Sequence, residues 1–273
     1  MRIATLNIHE FTDNNALDSR KNLAEFLNKH NLEVICLQEV SSMSDLSDFI
    51  ENIYYRDLNS NNKNIKNKKK IKYNFIYNRN TAILSIYPIK SKLKEKTKVR
   101  YTHGIINISD KLTINIICVH LNYKDEEIRK GEMFKIMSDN YYNKINNEAT
   151  IVAGDFNALT RTDYSDKEWG HIAKTRRYSK WEPPLYELTD IMKRKYNFID
   201  TREIGYGNTG ENGTSRFNTR IDYIYINKIM YDKLENNNKN RFSKKKIKSN
   251  HNYAQKGITD HNMVDIEIGR FKI

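Results

Sequence analysis

Short apolar segments alternate along the chain with longer segments in which apolar residues recur every three or four positions. The short segments are rich in Ile and Val, and some alternate apolar with polar residues, as buried and half-buried β-strands do. The pattern therefore predicts strands over residues 2–8, 33–40, 81–89, 104–109, 111–121, 149–156, 220–226 and 263–269.

The longer segments have the spacing of amphipathic helices, with their apolar residues collected on one face. Within residues 16–30, for example, Leu17, Leu23, Phe26 and Leu27 fall roughly on the same side. The same spacing predicts further helices over residues 124–145, 163–177 and 184–196.

The alternation of strands and helices predicts an α/β protein with at least one packed sheet. The segments at 104–109 and 111–121 are joined by a connection too short for a parallel crossover. They must pair antiparallel, so the sheet must be mixed. No internal repeat and no linker rich in Pro or Gly interrupts the sequence. We therefore expect a single domain over residues 1–273.

The composition is that of a globular protein, since 38% of the 273 residues are hydrophobic and 30% are charged. No apolar run approaches the roughly 20 residues of a membrane-spanning helix, so no stable membrane insertion is expected. Cys36 and Cys118 both lie in apolar runs, which is typical of reduced core cysteines. Because the N-terminus has no secretory signal, we expect a cytoplasmic protein. We also expect the protein to be monomeric.

The formal net charge of +13 indicates an anionic partner such as nucleic acid or a membrane surface. Much of the excess comes from two Lys- and Asn-rich stretches, residues 61–72 and 236–250. These stretches have an ordinary interpretation as solvated loops, because neither has enough apolar residues to offset the entropy of ordering it. We therefore expect exposed loops at about 59–72 and 233–256.

Polar side chains suited to phosphate chemistry stand where the predicted strands begin or end. Each is weak evidence alone, since Asn7 suits a turn, Asp155 suits the cap of a turn, and His120 suits a buried histidine bound to a carbonyl. Their collection at strand ends is informative, because the loops there carry polar groups into clefts. The set is Asn7, Glu39, His120, Asp155, Asn157, Asp222, Asp260 and His261.

The order of these residues adds the specificity that each lacks. The segments ATLNIH, LQEV, VHL, GDFNA, RIDYIYI and TDH follow one another, each at the edge of a predicted strand. This ordered set resembles the endonuclease/exonuclease/phosphatase superfamily, which includes enzymes like deoxyribonuclease I and exonuclease III. The resemblance implies a four-layered α/β sandwich, with two mixed β-sheets packed face to face and helices outside. It also implies an active site at the strand ends between the sheets.

By this resemblance Asn7, Glu39 and Asp260 belong to a metal site. The chemistry supports that expectation, because a phosphodiester repels an attacking hydroxide and a hard divalent cation offsets the repulsion. Carboxylate and amide oxygens are the ligands that Mg²⁺ prefers, and Mn²⁺ can substitute for it. We therefore expect a magnesium-dependent enzyme.

The resemblance also implies the roles of the remaining residues. Asp155 and Asn157 position and activate the attacking water, and Asp222 orients His261. His120 contacts the scissile phosphate or assists the leaving group. A carboxylate is a credible base for water, and a histidine held by a carboxylate is readily protonated. With no serine or cysteine nucleophile required, we expect direct hydrolysis by water.

The sequence VHLN at 119–122 indicates which branch of the superfamily this chain resembles. Exonuclease III-like enzymes that act at abasic sites generally have an Asn-Gly type sequence there. This chain looks more like the branch that contains deadenylases, neutral sphingomyelinases and tyrosyl-DNA phosphodiesterases. The segments GDFNALTR and TRIDYIYI differ from the signatures of inositol polyphosphate phosphatases and count against that group.

Candidate substrate contacts lie outside the ordered set. His103, or alternatively Arg100, is placed to contact phosphate, although either also suits a surface hairpin. Residues 158–188 contain both tryptophans, and aromatic and cationic side chains together can stack on bases and hold phosphates. An amphipathic helix with Trp169 in the core is the plainer alternative. The cations considered in this segment are Arg161, Arg176 and Arg177.

These features favour a metal-dependent phosphoric ester hydrolase, most of all a nuclease or nucleic-acid phosphodiesterase. A lipid or small-molecule phosphoesterase, of the sphingomyelinase or phosphatase type, is the first alternative. A second alternative is an inactive basic binding module that keeps the fold. The presence of every expected polar residue argues against that module.

Overall fold

The computed structural model describes most of the chain in ordered elements. The described residues are 1–13, 15–56, 70–93, 98–110, 112–138, 147–204, 213–236, 248–252 and 258–268. Its strands are β1 (Arg2–Asn7), β2 (Val34–Gln38), β3 (Tyr55–Arg56), β4 (Lys70–Ile71), β5 (Asn74–Asn78), β6 (Thr81–Ser85), β7 (Ile89–Ser91), β8 (Tyr101–Ser109), β9 (Leu112–His120), β10 (Thr150–Asp155), β11 (Phe198–Asp200), β12 (Asp222–Asn227), β13 (Lys248–Asn252) and β14 (Met263–Glu267). Its α-helices are α1 (Arg20–His30), α2 (Met43–Ile50), α3 (Glu126–Ser138), α4 (Asp166–Tyr178), α5 (Glu187–Arg194), α6 (Thr201–Ile204) and α7 (Lys228–Asn236).

The larger strands form two six-stranded sheets. The first sheet has the order β13-β14-β1-β2-β6-β5, and the second has the order β11-β12-β10-β9-β8-β7. Strands β1 and β2 are parallel, as are β9 and β10, whereas their other neighbours are antiparallel. The prediction of mixed sheets is therefore confirmed, including the antiparallel pairing of β8 with β9.

A core of aliphatic side chains joins the two sheets face to face. Ile3 and Val34 of the first sheet belong to the same buried cluster as Ile116, Ile151 and Ile224 of the second. Each fully buried aliphatic side chain contributes roughly 1.5–3 kcal/mol by leaving water. The free cysteines Cys36 and Cys118 lie in this core, as expected.

The outer face of each sheet is covered by helices. Leu23 and Phe26 of α1 and Phe49 of α2 pack in one cluster with the first sheet. Met133 of α3 and Leu188 of α5 pack in another cluster with the second sheet. The result is helix, sheet, sheet and helix, which confirms the four-layered α/β sandwich.

Two predicted elements differ from the structure. The strand predicted over 81–89 is two strands, β6 and β7, and these lie in different sheets. Pro88 stands between them and has no N–H to continue a ladder. The helix predicted over 16–30 begins at Arg20 instead. Leu17 is exposed in a preceding turn, where its N–H donates to the Asp13 carboxylate.

Several short or polar elements were not predicted, among them β5, β11, β13 and α2. The Lys- and Asn-rich stretches lie mainly outside the described residues, although β4 and β13 fall at their edges. Residues 139–145 of the predicted helix 124–145 also lie outside them. None of the helices in the described part of the chain combines the length and apolar composition that crossing a membrane requires.

Candidate active site

The ordered polar residues meet at one edge of the sandwich because of strand direction. In the first sheet, the parallel strands β1 and β2 end at Asn7 and Gln38, with Glu39 next. In the second sheet, the parallel strands β9 and β10 end at His120 and Asp155, which are register partners. Four strand ends from two sheets therefore deliver their polar side chains to one place.

Two antiparallel strands complete this edge from the opposite direction. Strand β12 begins at Asp222, the register partner of Asp155. Strand β14 runs antiparallel to β1, so Asp260 and His261, just before it, lie beside the end of β1. Gly154 makes the close packing possible, because its φ is +148° and a Cβ there would lie 2.0 Å from the Val119 carbonyl oxygen.

Asn7 links the two sheets through its side-chain amide. Its Nδ2 donates to Glu39 Oε1 at 3.0 Å and to Asp155 Oδ2 at 3.1 Å. Its Oδ1 accepts a hydrogen bond from the backbone N–H of His9 at 3.0 Å. Glu39 also has a left-handed φ of 55°, a conformation that costs of order 1–3 kcal/mol and is often retained at functional sites. Two carboxylates are thus held side by side around one amide.

The predicted contact between Asp222 and His261 is present. His261 Nδ1 lies 2.9 Å from Asp222 Oδ2, and both side chains are buried. Burial by itself lowers the pKa of His261, but Asp222, with Asp155 and Asp260, raises it to about 10. His261 is therefore protonated at neutral pH. Its Nε2 lies 4.0 Å from Asp155 Oδ2 and 4.0 Å from Asp260 Oδ1.

Asp155 occupies the centre of this cluster. Burial, and then repulsion from Asp222, raises the pKa of its carboxyl group to about 7. The positive charge of His261 and hydrogen bonds from Asn157 and Asn7 oppose that rise. The Asn157 backbone N–H donates to Asp155 Oδ1 at 2.8 Å, and the Asn157 side chain donates to the Leu121 carbonyl. A pKa near neutrality suits a group that exchanges protons.

His120 lies against Asn80 and faces two carboxylates. Its Nδ1 lies 3.0 Å from Asn80 Nδ2, and a hydrogen bond donated by this amide leaves the ring hydrogen on Nε2. That Nε2 faces Glu39 Oε1 at 3.6 Å and Asp155 Oδ2 at 3.9 Å. Burial, with the charges of Arg100 and His261, lowers the pKa of His120 to about 3. His120 therefore presents an N–H donor without carrying a charge.

The sequence reasoning missed Asn80. It stands in the turn just before β6, and its backbone carbonyl accepts a hydrogen bond from the Val40 N–H. This bond fixes the turn beside the strand end that carries Glu39. An asparagine before a strand has the same signal as an ordinary turn residue, so only its position next to His120 identifies it.

The buried acidic groups offer ligands for a cation. Ligand atoms of Asp155, Asp222 and His261 lie within 4.8 Å of one another. His261 Nδ1 is already engaged by Asp222 Oδ2 at 2.9 Å, so Nε2 is the ring nitrogen that faces the rest of the cluster. The paired Glu39 and Asp155 oxygens form an acidic donor set that suits a hard cation.

The two residues predicted as phosphate contacts, Arg100 and His103, lie in different places. Arg100 lies beside the cluster, where its guanidinium donates to the Leu121 carbonyl at 3.2 Å. His103 is only 1% exposed, and its Nε2 lies 3.2 Å from Asn115 Oδ1. Asn115 is five strand positions from His120, and burial lowers the pKa of His103 to about 4. The structure brings Arg100 to the site and leaves His103 in the sheet interior.

A pocket of about 670 Å³ opens beside Asn157, Asp260 and His261. Its far wall comes from α4, residues 180–182 and residues 215–221, and Arg176 lies on it. Two of the predicted cations are not on that wall. Arg161 is paired with Asp166 and lies over the Trp169 ring, and Arg177 is exposed.

Trp169 lies outside the buried core clusters, contrary to the plainer alternative. Its ring contacts Tyr164 and Tyr186, each with centroids 5.9 Å apart. No residue of α4 is buried. This helix therefore lies on the outside of the sandwich and contributes little to its core.

The model of the endonuclease/exonuclease/phosphatase family matches residues 4–233 of the chain. That range includes every strand-end residue discussed above except Asp260 and His261. No curated protein matches the chain in sequence.

Solved structures share the fold over almost the whole chain. An AP endonuclease from Archaeoglobus fulgidus is 14% identical, with a TM-score of 0.61 and coverage of 100% of both chains. An endonuclease/exonuclease/phosphatase family protein from Leptotrichia buccalis is 16% identical, with a TM-score of 0.59 and coverage of 99% of this chain and 100% of that one. TDP2 from C. elegans is 15% identical, with a TM-score of 0.54 and coverage of 97% of this chain and 74% of that one.

Proposed function

The chain belongs to the endonuclease/exonuclease/phosphatase family, and on this basis we propose that it is a magnesium-dependent phosphodiesterase that acts on nucleic acid. One observation carries the proposal. The Asn7 amide holds Glu39 and Asp155 together at the junction of the two sheets. This arrangement places two carboxylates next to two histidines, a set that suits a divalent cation and proton exchange during hydrolysis of a phosphate ester.

Glu39 and Asp260 would supply carboxylate oxygens to the metal, with the Asn7 side chain next to Glu39. When bound, Mg²⁺ would neutralise phosphate charge and make a water molecule more acidic. The left-handed backbone of Glu39 supports this assignment, because the strain is retained where the carboxylate must face Asn7. Mn²⁺ prefers the same oxygen ligands and is expected to substitute.

The chain's own residues account for the remaining steps. Asp155, which Asn157 orients, accepts a proton from the attacking water. Protonated His261, which Asp222 holds by its other nitrogen, donates to a phosphoryl oxygen as negative charge develops there. As the water oxygen bonds to phosphorus, the bond between phosphorus and the leaving-group oxygen breaks, and that oxygen takes a proton from solvent. His120 donates from Nε2 to a second phosphate oxygen or to the leaving oxygen.

The substrate half of the proposal rests on charge and on the wall of the pocket. The chain has a net charge of +13, and Lys124, Arg176, Lys180 and Arg216 line the pocket next to the catalytic residues. Cations near a phosphate site favour a polyanion, because several phosphates can be contacted at once. Relatives in fold include an AP endonuclease and TDP2, which is compatible with a nucleic-acid substrate.

A substrate panel with Mg²⁺ tests this function. It should contain single- and double-stranded DNA, RNA, a 5′-tyrosyl DNA adduct, sphingomyelin and inositol phosphates. We expect hydrolysis of nucleic acid that stops when EDTA removes the metal. Hydrolysis of sphingomyelin or a soluble phosphate ester without cleavage of any oligonucleotide would contradict the substrate assignment and leave the hydrolase assignment standing.

Glu39→Gln tests the metal assignment on the best substrate of that panel. Replacing the carboxylate with an amide keeps the shape and removes the charge, so we expect turnover to fall at least a hundred-fold while the fold is retained. Glu51→Gln is the matched control, because Glu51 pairs with Lys72 on the surface. Near-normal turnover of Glu39→Gln at saturating Mg²⁺ would sink the assignment.

A further inference from the structure

The pocket beside the catalytic residues has the size of a site for a small molecule or a single nucleotide unit. Its volume of about 670 Å³ falls within the range of roughly 300–1,000 Å³ that is typical of such sites. Asn157, Asp260 and His261 line it and belong to the proposed catalytic site, and the other lining residues are not used by the mechanism. A group bound there would lie next to the scissile phosphate.

Three aromatic side chains line this pocket and remain exposed to solvent. Tyr123 is 62% exposed, Trp181 is 45% exposed and Phe217 is 50% exposed. The rings of Trp181 and Phe217 meet edge to face, with centroids 4.9 Å apart and an angle of 79° between them. Exposed large aromatic groups gathered in a concave site mark a binding surface, because their burial by a ligand is favourable.

A cation lies over two of these aromatic rings. Lys124 Nζ lies 5.3 Å from the Tyr123 ring centroid, and the Arg216 guanidinium lies 4.9 Å from that of Phe217. Lys180 lines the pocket next to Trp181. Aromatic faces that stack on bases, together with cations that track phosphates, form the pattern by which proteins bind single-stranded nucleic acid.

The loop that carries Trp181 is held by buried charges. Arg129, which is 1% exposed, pairs with Glu126 at 2.8 Å and also with Glu182. Glu182 in turn accepts the Glu126 backbone N–H at 2.9 Å. The Trp181 backbone N–H donates to the Arg176 carbonyl at 2.9 Å. The aromatic wall is therefore positioned before any ligand arrives.

We propose that this pocket binds an unpaired nucleotide next to the scissile phosphate, with its base against Trp181 and Phe217. The proposal rests on the proposed nucleic-acid function and adds that the enzyme prefers single-stranded to fully paired substrates. A paired base must leave its stack before it enters a pocket, whereas an unpaired base does so at a much smaller cost. The wall next to the catalytic centre thus selects the strand state of the substrate.

The test compares kcat/KM for a single-stranded oligonucleotide, its blunt duplex, and methyl 4-nitrophenyl phosphate as a diester without a base. We expect the single strand to be preferred to the duplex at least ten-fold. Trp181→Ala should lower kcat/KM for the single strand by about ten-fold or more relative to the small diester, and Trp181→Phe should recover most of the loss. Tyr178→Ala is the control, because Tyr178 is an exposed aromatic residue at the end of α4, three positions before Trp181, and does not line the pocket.

The outcomes distinguish failure of the pocket proposal from failure of the proposed nuclease function. Equal hydrolysis of single strand and duplex, or an equal loss on oligonucleotide and small diester in Trp181→Ala, would overturn the pocket proposal and leave the nuclease assignment intact. Hydrolysis of the small diester without cleavage of any oligonucleotide would overturn both.

A binding measurement does not depend on turnover. The chain has two tryptophans, so Trp169→Phe leaves Trp181 as the sole tryptophan. In a Glu39→Gln background, a single-stranded oligonucleotide should quench the Trp181 fluorescence and its own duplex should quench it much less. Equal quenching by the two, or none by the single strand, would count against stacking of a base on Trp181.

Discussion

The strand ends proposed to be catalytic form one edge of the sandwich, the catalytic edge, and this edge and the pocket wall that faces it are built in different ways. The catalytic edge consists of buried side chains on the ends of paired strands, including His120, Asp155 and Asp222. The pocket wall is carried by α4, which has no buried residue, by the loop after it and by residues 215–221. One region is fixed by the sheets themselves, and the other is attached to them by ion pairs.

This difference indicates that the two regions have different roles. The backbone of a paired strand cannot shift without breaking hydrogen bonds. The strands therefore hold the catalytic side chains at fixed distances from one another. A helix outside the core can change in sequence without disturbing the two sheets. We infer that the edge determines the reaction and that the wall determines which substrate reaches it.

The largest expected effect comes from the paired groups at the edge. His261→Ala and Asp222→Ala should each lower kcat by about 10²–10⁴-fold, because general acid–base and electrostatic groups contribute on that scale. The double variant should lose little more than either single variant, since the two residues act as a unit. Single-turnover rates of the three variants measure this coupling, and fully additive losses would contradict it.

Arg129, whose ion pairs hold the loop of the pocket wall, should affect the stability of the protein more than its rate of hydrolysis. Arg129→Met leaves Glu126 and Glu182 without their buried partner, and removing one member of a buried pair costs about 3–5 kcal/mol. Urea denaturation of Arg129→Met and of its neighbour Lys130→Met measures the difference. Lys130 pairs with Glu127 and Glu187 near the surface, where such pairs contribute about 0–1 kcal/mol. Equal losses in the two variants would show that the wall does not depend on this anchor.

A smaller effect should appear in the pH dependence of stability. Burial lowers the pKa of His103 in the folded protein to about 4, from about 6.5 when unfolded. Below pH 6.5 the unfolded chain binds a proton that the folded chain does not, so stability falls as the pH drops from about 6.5 to 4. The full effect is about 3 kcal/mol.

His103→Gln should remove this part of the acid sensitivity, measured as the free energy of unfolding between pH 7 and 4. His171→Gln is the matched control, because His171 is exposed on the pocket wall. An unchanged acid slope in His103→Gln would contradict the inferred cause. A loss of slope in the control would mean that the wall is more tightly coupled to the fold than its exposure indicates.

Much of the catalytic edge could be predicted because its residues stand in short, regular contexts. Asn7, Glu39, His120 and Asp155 each follow an Ile- or Val-rich run, and strand direction brings such ends together. Asn80 could not be predicted, since its turn has no distinguishing pattern. His103 was predicted as a phosphate contact from its position along the chain, but its burial beside Asn115 places it elsewhere.

The sequence by itself determined most of the longer strands and the order of the polar residues at their ends. These features depend on local patterns of side-chain size and polarity, which the chain displays directly. The tertiary structure decided which residues touch. The Asn7 amide reaches Asp155 across 148 positions of sequence, and Asn80 reaches His120 across 40. It also decided the protonation states, because a pKa depends on burial and on neighbouring charges that only the folded chain brings together.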